Sequence, residues 1–269
     1  MNDIDTVKLR GRLLSVPRAG GIFILLGLGG PALAEDHWLA SESGCRVWSD
    51  KPLEQGGVVR WTGGCEDEKL SGTGVLTVLA GDKTMVRFEG EMRGGKAQGP
   101  GTMEMTTDEG QVLYQGGFAG SLLDGYGVLE LADGSRYEGG FQTDKPHGYG
   151  VYNAADGSLY QGEIRQGLPD GTGYDVFADG EKYHGEFQKG QRHGEGILLL
   201  PSGDAYKGGF RDGRADGSGV FTDASGTIYR GTWSAGHAQG TFTVTKPDGS
   251  QEEQVWKNDK RILSGSEES

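Results

Sequence analysis

Large apolar side chains are scarce in this chain. Together with Ala, Cys and Tyr they make up 34% of its 269 residues, too few to fill a conventional globular core of that length. Cysteine is almost absent, with two residues and no C-x-x-C spacing, so neither a zinc ribbon nor a thioredoxin-like redox pair is expected. The five histidines are scattered. There is no G-x-S-x-G, H-E-x-x-H or G-x-x-x-x-G-K-[ST] segment, which removes the nucleophile elbow, the zinc-protease helix and the P-loop. Catalytic residues, a cofactor and a metal site are therefore not expected. Basic residues are also short, with 26 Lys and Arg against 39 Asp and Glu and a net charge of −13. Such a surface repels nucleic acid and disfavours contact with anionic lipid. Basic proteins, divalent cations and neutral glycans stay open as partners.

No apolar run reaches the ~18–20 residues of a membrane span. A shorter one, Ile22-Phe23-Ile24-Leu25-Leu26-Gly27-Leu28, follows the basic residues Lys8, Arg10, Arg12 and Arg18 and precedes Ala32-Leu33-Ala34. This order is that of a secretory signal peptide over residues 1–34. Cleavage is expected after Ala34, giving a periplasmic or secreted protein. In an oxidising compartment Cys45 and Cys65 are expected to pair. Closing that loop contributes roughly 3 kcal/mol in the chain-entropy model.

Glycine is abundant, with 52 residues, and the five Trp, ten Tyr and nine Phe argue against disorder. Their placement is periodic. With an aromatic at position 0, glycine follows at position 2, an apolar residue at 4, and glycine again at 11 and 13. Tyr137, Gly139, Phe141, Gly148 and Gly150 fit, as do the sets beginning at Phe88, Tyr114, Tyr160, Tyr183 and Tyr206. The sets at Trp61 and Tyr229 are degenerate, with Cys65 at position 4 of the first and Phe242 at position 13 of the last. From Tyr114 to Tyr229 the period is 23, whereas the first two steps are 27 and 26, read as longer loops. Positions 0, 2 and 4 share one face of a strand, so glycine leaves a gap there that a ring can fill. The same role is assigned to the glycines at 11 and 13. Residues between positions 4 and 11, for example Gln142–His147, read as a loop. Asp133-Gly134, Asp156-Gly157, Asp179-Gly180 and Asp248-Gly249 supply hairpin turns between repeats.

The pattern Y-x-G-x-F…G-x-G at 23-residue spacing resembles the MORN repeat (membrane occupation and recognition nexus). Residues 183–196 lie close to that family's consensus. The resemblance implies an all-β fold of tandem hairpins forming one elongated, twisted antiparallel sheet, an open repeat array. It also implies roles in scaffolding, dimerisation or, in some members, lipid contact, and supplies no catalytic residues. The organisation expected is a signal peptide over 1–34 and an N-terminal cap over 35–60. An array of eight repeats covers 61–250, beginning near 61, 88, 114, 137, 160, 183, 206 and 229. A C-terminal cap strand and disordered tail occupy 251–269. The repeat core is assigned to Trp61, Phe88, Tyr114, Phe118, Tyr137, Phe141, Tyr160, Ile164, Tyr183, Phe187, Tyr206, Phe210, Tyr229 and Trp233.

At position 10 the residues alternate as Asp124, His147, Asp170, His193 and Asp216. Successive members lie about 10 Å apart, too far for shared metal ligation, so they are read as loop-supporting residues. The function expected is a non-catalytic, exported scaffold that binds an unidentified protein of the cell envelope. A glycan- or lipid-contacting module using exposed aromatics is the alternative, and an enzyme of unknown type a second one.

Overall fold

A computed structural model describes residues 37–49, 52–53 and 56–262. The expected signal peptide, its cleavage site at Ala34 and the tail after Ile262 lie outside them. No described residue is helical. Contacts divide the described chain into two blocks, one holding residues up to Ala155 with Ile164–Gly167 and the other Asp156–Glu163 with the residues from Leu168 onward.

The N-terminal block contains β1 (His37–Ala40), β2 (Arg46–Ser49), β3 (Gly57–Trp61), β4 (Gly64–Glu66), β5 (Lys69–Ala80), β6 (Lys83–Arg93), β7 (Lys96–Thr107), β8 (Gly110–Ala119), β9 (Leu122–Glu130), β10 (Arg136–Gln142) and β11 (Lys145–Asn153). From β5 to β11 each strand pairs antiparallel with the next. β3 and β4 both pair with β5. β1 and β2 form a separate hairpin that touches β5 through one parallel pairing, Arg46 with Lys69. The Cys45–Cys65 disulfide, with its Cα atoms 6.0 Å apart, ties this hairpin to the first repeat.

After β12 (Leu159–Arg165), the C-terminal block is itself a meander. It comprises β13 (Leu168–Val176), β14 (Lys182–Gln188), β15 (Gln191–Leu199), β16 (Ala205–Arg211), β17 (Arg214–Thr222), β18 (Ile228–Ser234), β19 (His237–Thr245), β20 (Gln251–Lys257) and β21 (Lys260–Ile262). From β13 onward, successive strands again pair antiparallel.

The ring at position 0 lies along its own strand, over the glycine two residues on and the position-13 glycine of the next strand. A Cβ on Gly150 would stand 2.6 Å from Tyr137 Cε2, and one on Gly173 2.8 Å from Tyr160 Cε2. Phe88 covers Gly90 and Gly101 in the same way, and Trp61 covers Gly63 and Gly74. The tyrosine hydroxyl then donates to the carbonyl at position 3, as in Tyr137 to Gly140 at 2.9 Å and Tyr183 to Glu186 at 3.0 Å. In the first repeat the Trp61 indole N–H takes over this bond to Gly64, at 2.9 Å. Burial pushes the hydroxyl pKa of Tyr114, Tyr137, Tyr183 and Tyr206 up, so they remain donors.

Within each block the rings meet position-4 aromatics of their own or the following repeat edge to face. In the N-terminal block the series Phe88–Phe118–Tyr114–Phe141–Tyr137 has centroid spacings of 5.1, 5.2, 5.3 and 5.1 Å. In the C-terminal block Tyr160–Phe187–Tyr183–Phe210–Tyr206–Trp233 has spacings of 5.4, 5.1, 5.0, 5.2 and 5.0 Å. Ile164 supplies an aliphatic group at the same position and is buried. Of the core residues expected from sequence, only Trp61 and Tyr229 are not fully buried.

Three local expectations are corrected. First, the position-11 glycines do not receive rings. Gly99, Gly125, Gly148, Gly217 and Gly240 have φ between +66° and +94° and open space where a Cβ would stand. Gly148 lies in a bulge that sets His147, Gly148 and Tyr149 opposite Gly140, so glycine is needed there for the left-handed backbone. Second, Gln142–His147 is not a long loop. Thr143 and Asp144, with φ of 49° and 67°, make a two-residue turn of the kind that matches strand twist. Third, the longer early repeats carry longer strands rather than longer loops. β5, β6 and β7 have 12, 11 and 12 residues where β10 has 7, and Gly81-Asp82 and Asp108-Glu109 turn them tightly.

Neighbouring repeats are also joined at these turns. The position-7 N–H donates to the position-9 carbonyl of the repeat before: Asp144 to Leu123 at 2.9 Å, Gly190 to Pro169 at 2.7 Å and Gly213 to Arg192 at 2.9 Å. The Asp-Gly turns between repeats are three-residue loops with glycine left-handed. Gly134 has φ 88° and Asp133 Oδ1 accepts from Ser135 N at 2.8 Å.

The two glycine classes give opposite expectations for alanine. Gly150→Ala forces its methyl into the Tyr137 ring and is expected to cost about 3 kcal/mol, at the upper end for overpacking. Gly148→Ala meets only the left-handed backbone penalty, about 1–2 kcal/mol. Urea unfolding of both variants measures the difference, and equal losses would contradict the assignment.

Candidate functional site

Alternation that sends positions 0, 2, 13 and 15 to the ring side sends positions 1, 3, 12 and 14 to the opposite face. Two large aromatics stand there. Tyr126 and Tyr149, at position 12 of adjacent repeats, are 65% and 59% exposed, whereas other repeats carry Pro100, Thr172, Glu195, Ser218 or Thr241. Gly140 pairs with Tyr126 on one side and faces the bulge bearing Tyr149 on the other. A Cβ on Gly140 would overlap the His147 carbonyl, so this floor must stay bare. The result is a strip of open backbone between two rings carried on strands about 10 Å apart.

One ring is held in place despite its exposure. The Tyr126 hydroxyl donates to Glu138 Oε1 at 2.7 Å, and Arg136 holds the other Glu138 oxygen at 2.6 Å. Both contacts lower the Glu138 pKa, and the bond to Glu138 raises that of Tyr126. Sequence reading missed this pair because it followed only the ring column. The signal was an aromatic at position 12, next to the position-13 glycine that lies under the ring.

A second feature breaks the core pattern. Position 15 is apolar and buried in the other repeats, as Leu76, Met103, Leu129, Tyr152, Leu198, Phe221 and Val244. Asp175 occupies it on β13 with 1% exposure. Arg192 on β15, also in the core, meets Glu181 at 2.5 Å and Asp175 at 3.8 Å. The guanidinium lies 4.9 Å from the Tyr183 ring and 5.3 Å from that of Phe177. Burial pushes the Asp175 carboxyl up to about 7, against the attraction of Arg192. A carboxylate inside the position-15 column was the readable sequence signal.

The aspartates of the position-10 column connect one repeat to the next. Asp170 Oδ2 accepts from Lys189 N at 3.1 Å, Asp216 Oδ2 from Ala235 N at 3.1 Å, and Asp124 Oδ2 from Thr143 N at 3.5 Å. Each stabilises a left-handed turn residue of the following repeat.

The MORN repeat family model matches residues 88–107, 114–136, 137–159, 160–182, 183–205 and 206–228. These segments make up just over half of the chain, and the chain belongs to the MORN repeat family. The repeats beginning at Trp61 and Tyr229 lie outside the matched segments. No curated protein matches. Among solved structures, the chain is similar to the SAS-4 (dCPAP) TCP domain in complex with a proline-rich motif of Ana2 (dSTIL) of Drosophila melanogaster. That likeness has 13% identity, covers 58% of this chain and 84% of that one, and has a TM-score of 0.36. A streptogramin B lyase structure is 10% identical over 87% of this chain and 86% of that one, with a TM-score of 0.17. At these scores neither likeness carries an argument.

The buried carboxyl has a definite pH signature. An Asp175 pKa of about 7, above the unfolded value of about 3.9, means the folded chain holds the extra proton between those limits. The stability linked to this proton is full below about pH 4 and is lost as pH rises through 7. Asp175→Asn is expected to flatten that part of the profile and to raise stability above pH 7. Urea midpoints at pH 4.5 and 7.5 for both proteins measure it, and an unchanged slope would disprove the assignment.

Proposed function

We propose that the chain is an exported, non-catalytic protein-interaction module of the cell envelope, docking its partner on the face that carries Tyr126 and Tyr149. The observation that carries this reading is the pair of exposed tyrosines on adjacent hairpins, separated by the bare backbone of Gly140. Tyrosine supplies large contact area at low entropy cost, and an interface anchor gains most when it is already held in place, as Tyr126 is. MORN family membership supports a repeat-based binding module. The Cys45–Cys65 disulfide fits an oxidising compartment, and the residues before Ala34 read as the export signal.

Replacing both tyrosines by alanine is expected to weaken partner capture at least tenfold. Stability should change by no more than about 0.5 kcal/mol per site, as for surface positions generally. Crosslinking in intact cells, comparing the double variant with the native chain, reads the first quantity and thermal unfolding the second. Undiminished partner adducts would remove the site from consideration. Loss of peptidoglycan binding with adducts intact would favour the glycan-contacting alternative. The intact mass of the exported protein is expected to correspond to a chain starting at Glu35; a mass retaining residues 1–34 would contradict cleavage after Ala34.

A further inference from the structure

On the face opposite the rings, the two blocks treat their cations differently. In the N-terminal block the arginines are neutralised where they stand. Arg87 meets Glu89 at 2.7 Å and Glu104 at 3.6 Å, and Arg136 meets Glu138 at 2.6 Å and Glu130 at 3.7 Å. In the C-terminal block, Lys207 on β16 and Arg230 on β18 stand at position 1 of adjacent repeats. Both are exposed, and neither has an ion-pair partner among the described residues. Their own strands supply none on that face, since Ala205 and Gly209 flank Lys207, and Ile228 and Thr232 flank Arg230. Cross-strand pairing lines the two cations up with aliphatic residues, Ile197 with Lys207, Lys207 with Val220 and Val220 with Arg230. This row lies in a groove of about 600 Å³ across β15 to β18, with Ser218 and Glu195 also in its wall.

Unpaired cations with an aliphatic residue between them suit two anions at the same spacing. Lys207 and Arg230 are two strands apart, about 10 Å across the sheet. A left-handed extended segment, with three residues per turn and a rise of ~3.1 Å, brings residues i and i+3 to one side about 9 Å apart. Carboxylates at those places reach the two cations while the residues between them lie against Val220. Glu195 is the one carboxylate in the groove wall, against the two cations. Lys182 and His184 on β14 extend the basic side of this face. Glu186, whose carboxylate accepts from Glu195 N at 3.2 Å, and Glu253 on β20 bound it. With a screening length of ~8 Å, the cations act on one docked segment. An anionic bilayer would also meet the acidic residues around them, on a chain of net charge −13. We infer that the groove around Lys207, Val220 and Arg230 receives an extended acidic segment of a protein partner, with carboxylates three residues apart. The inference rests on the partner being a protein, as proposed above, and adds the charge and spacing of the segment that it presents.

The probe is the capped peptide Gly-Glu-Ala-Ala-Glu-Gly, titrated into the full mature chain while the methyl NMR signals of Ile197 and Val220 are followed. A saturable shift that salt weakens is expected. With glutamine in place of both glutamates the peptide should bind about tenfold more weakly, and with the glutamates adjacent about threefold, the scale of exposed ion pairs. Lys207→Gln and Arg230→Gln should each cost about threefold, and Glu195→Gln should strengthen binding about twofold. Lys260→Gln, which removes the same charge outside the groove, should change nothing. All four side chains are exposed, and an unchanged thermal midpoint checks the fold of each variant. Equal binding of either control peptide, or equal losses in Lys260→Gln and Lys207→Gln, would overturn the inference. So would binding that appears only after deletion of residues 263–269, since the chain's own tail would then be the occupant. Phosphatidylglycerol vesicles bound by the native chain and not by the Lys207→Gln, Arg230→Gln double variant, with no response to the peptide, would reassign the groove to an anionic lipid. No partner enters this titration, and the crosslinking at Tyr126 and Tyr149 does not use this groove, so the two proposals fail separately.

Discussion

A tyrosine laid along its own strand, over one glycine of that strand and one of the next, is the contact on which the rest of the structure depends. It lets a chain with few large apolar residues bury Tyr114, Tyr160 and Tyr183 completely. The two glycines remove the side chains that would hold the ring away from the backbone, and the position-3 carbonyl gives the hydroxyl a partner within the same strand. Because Phe88, Tyr114, Tyr160, Tyr183 and Tyr206 also meet the position-4 side chain of the following repeat, cohesion passes between nearest neighbours. Edge-to-face pairs add about 0.5–1.5 kcal/mol each beyond area burial, and the ladder hydrogen bonds and turn clips run in the same direction along the chain. Stability of this kind accumulates repeat by repeat instead of arising in a central core.

The same constraint sorts the glycines by task. Those at positions 2 and 13 are small so that a ring can approach, while those at position 11 are left-handed so that the strand can bulge. Position 3 shows how one residue tunes the bulge. Where it is glycine, as in Gly117 and Gly140, a Cβ would overlap the position-10 carbonyl and the residue drops out of the ladder with the next strand. Where it is Glu186, the residue pairs with His193, and its carboxylate accepts from Glu195 N at 3.2 Å. Both bulge geometries thus occur among the repeats without disturbing the ring column.

Much of this was legible because the period is long and strict. Tyr137, Gly139, Phe141 and Gly150 announce the strand faces through alternation alone. Gly148 obeys the same alternation on paper, yet the bulge takes it off the ring face, and no residue count can show that glycine was kept there for its φ. The turn at Thr143-Asp144 was hidden for a related reason, since neither residue is the glycine that usually marks two left-handed positions. The 27- and 26-residue steps could lengthen either loops or strands, and the runs Val75–Leu79 and Met103–Met105 extended the strands. Tyr126, Tyr149 and Asp175 were visible as departures from their columns, but only the packing in three dimensions shows what each departure creates: a bare-floored slot and a buried ionic group.

The contact at the centre of this structure has a direct spectroscopic mark. Protons held against the face of an aromatic ring are shifted upfield by its ring current. The Hα resonances of Gly127, Gly150, Gly173, Gly196 and Gly219, read from a glycine-selective 1H–13C NMR spectrum of the native chain, should therefore all be displaced upfield. Those of Gly125, Gly148 and Gly217 should stay near ordinary values. Indistinguishable shifts for the two groups would mean that the rings do not lie on the glycine backbone, and the packing described here would be wrong.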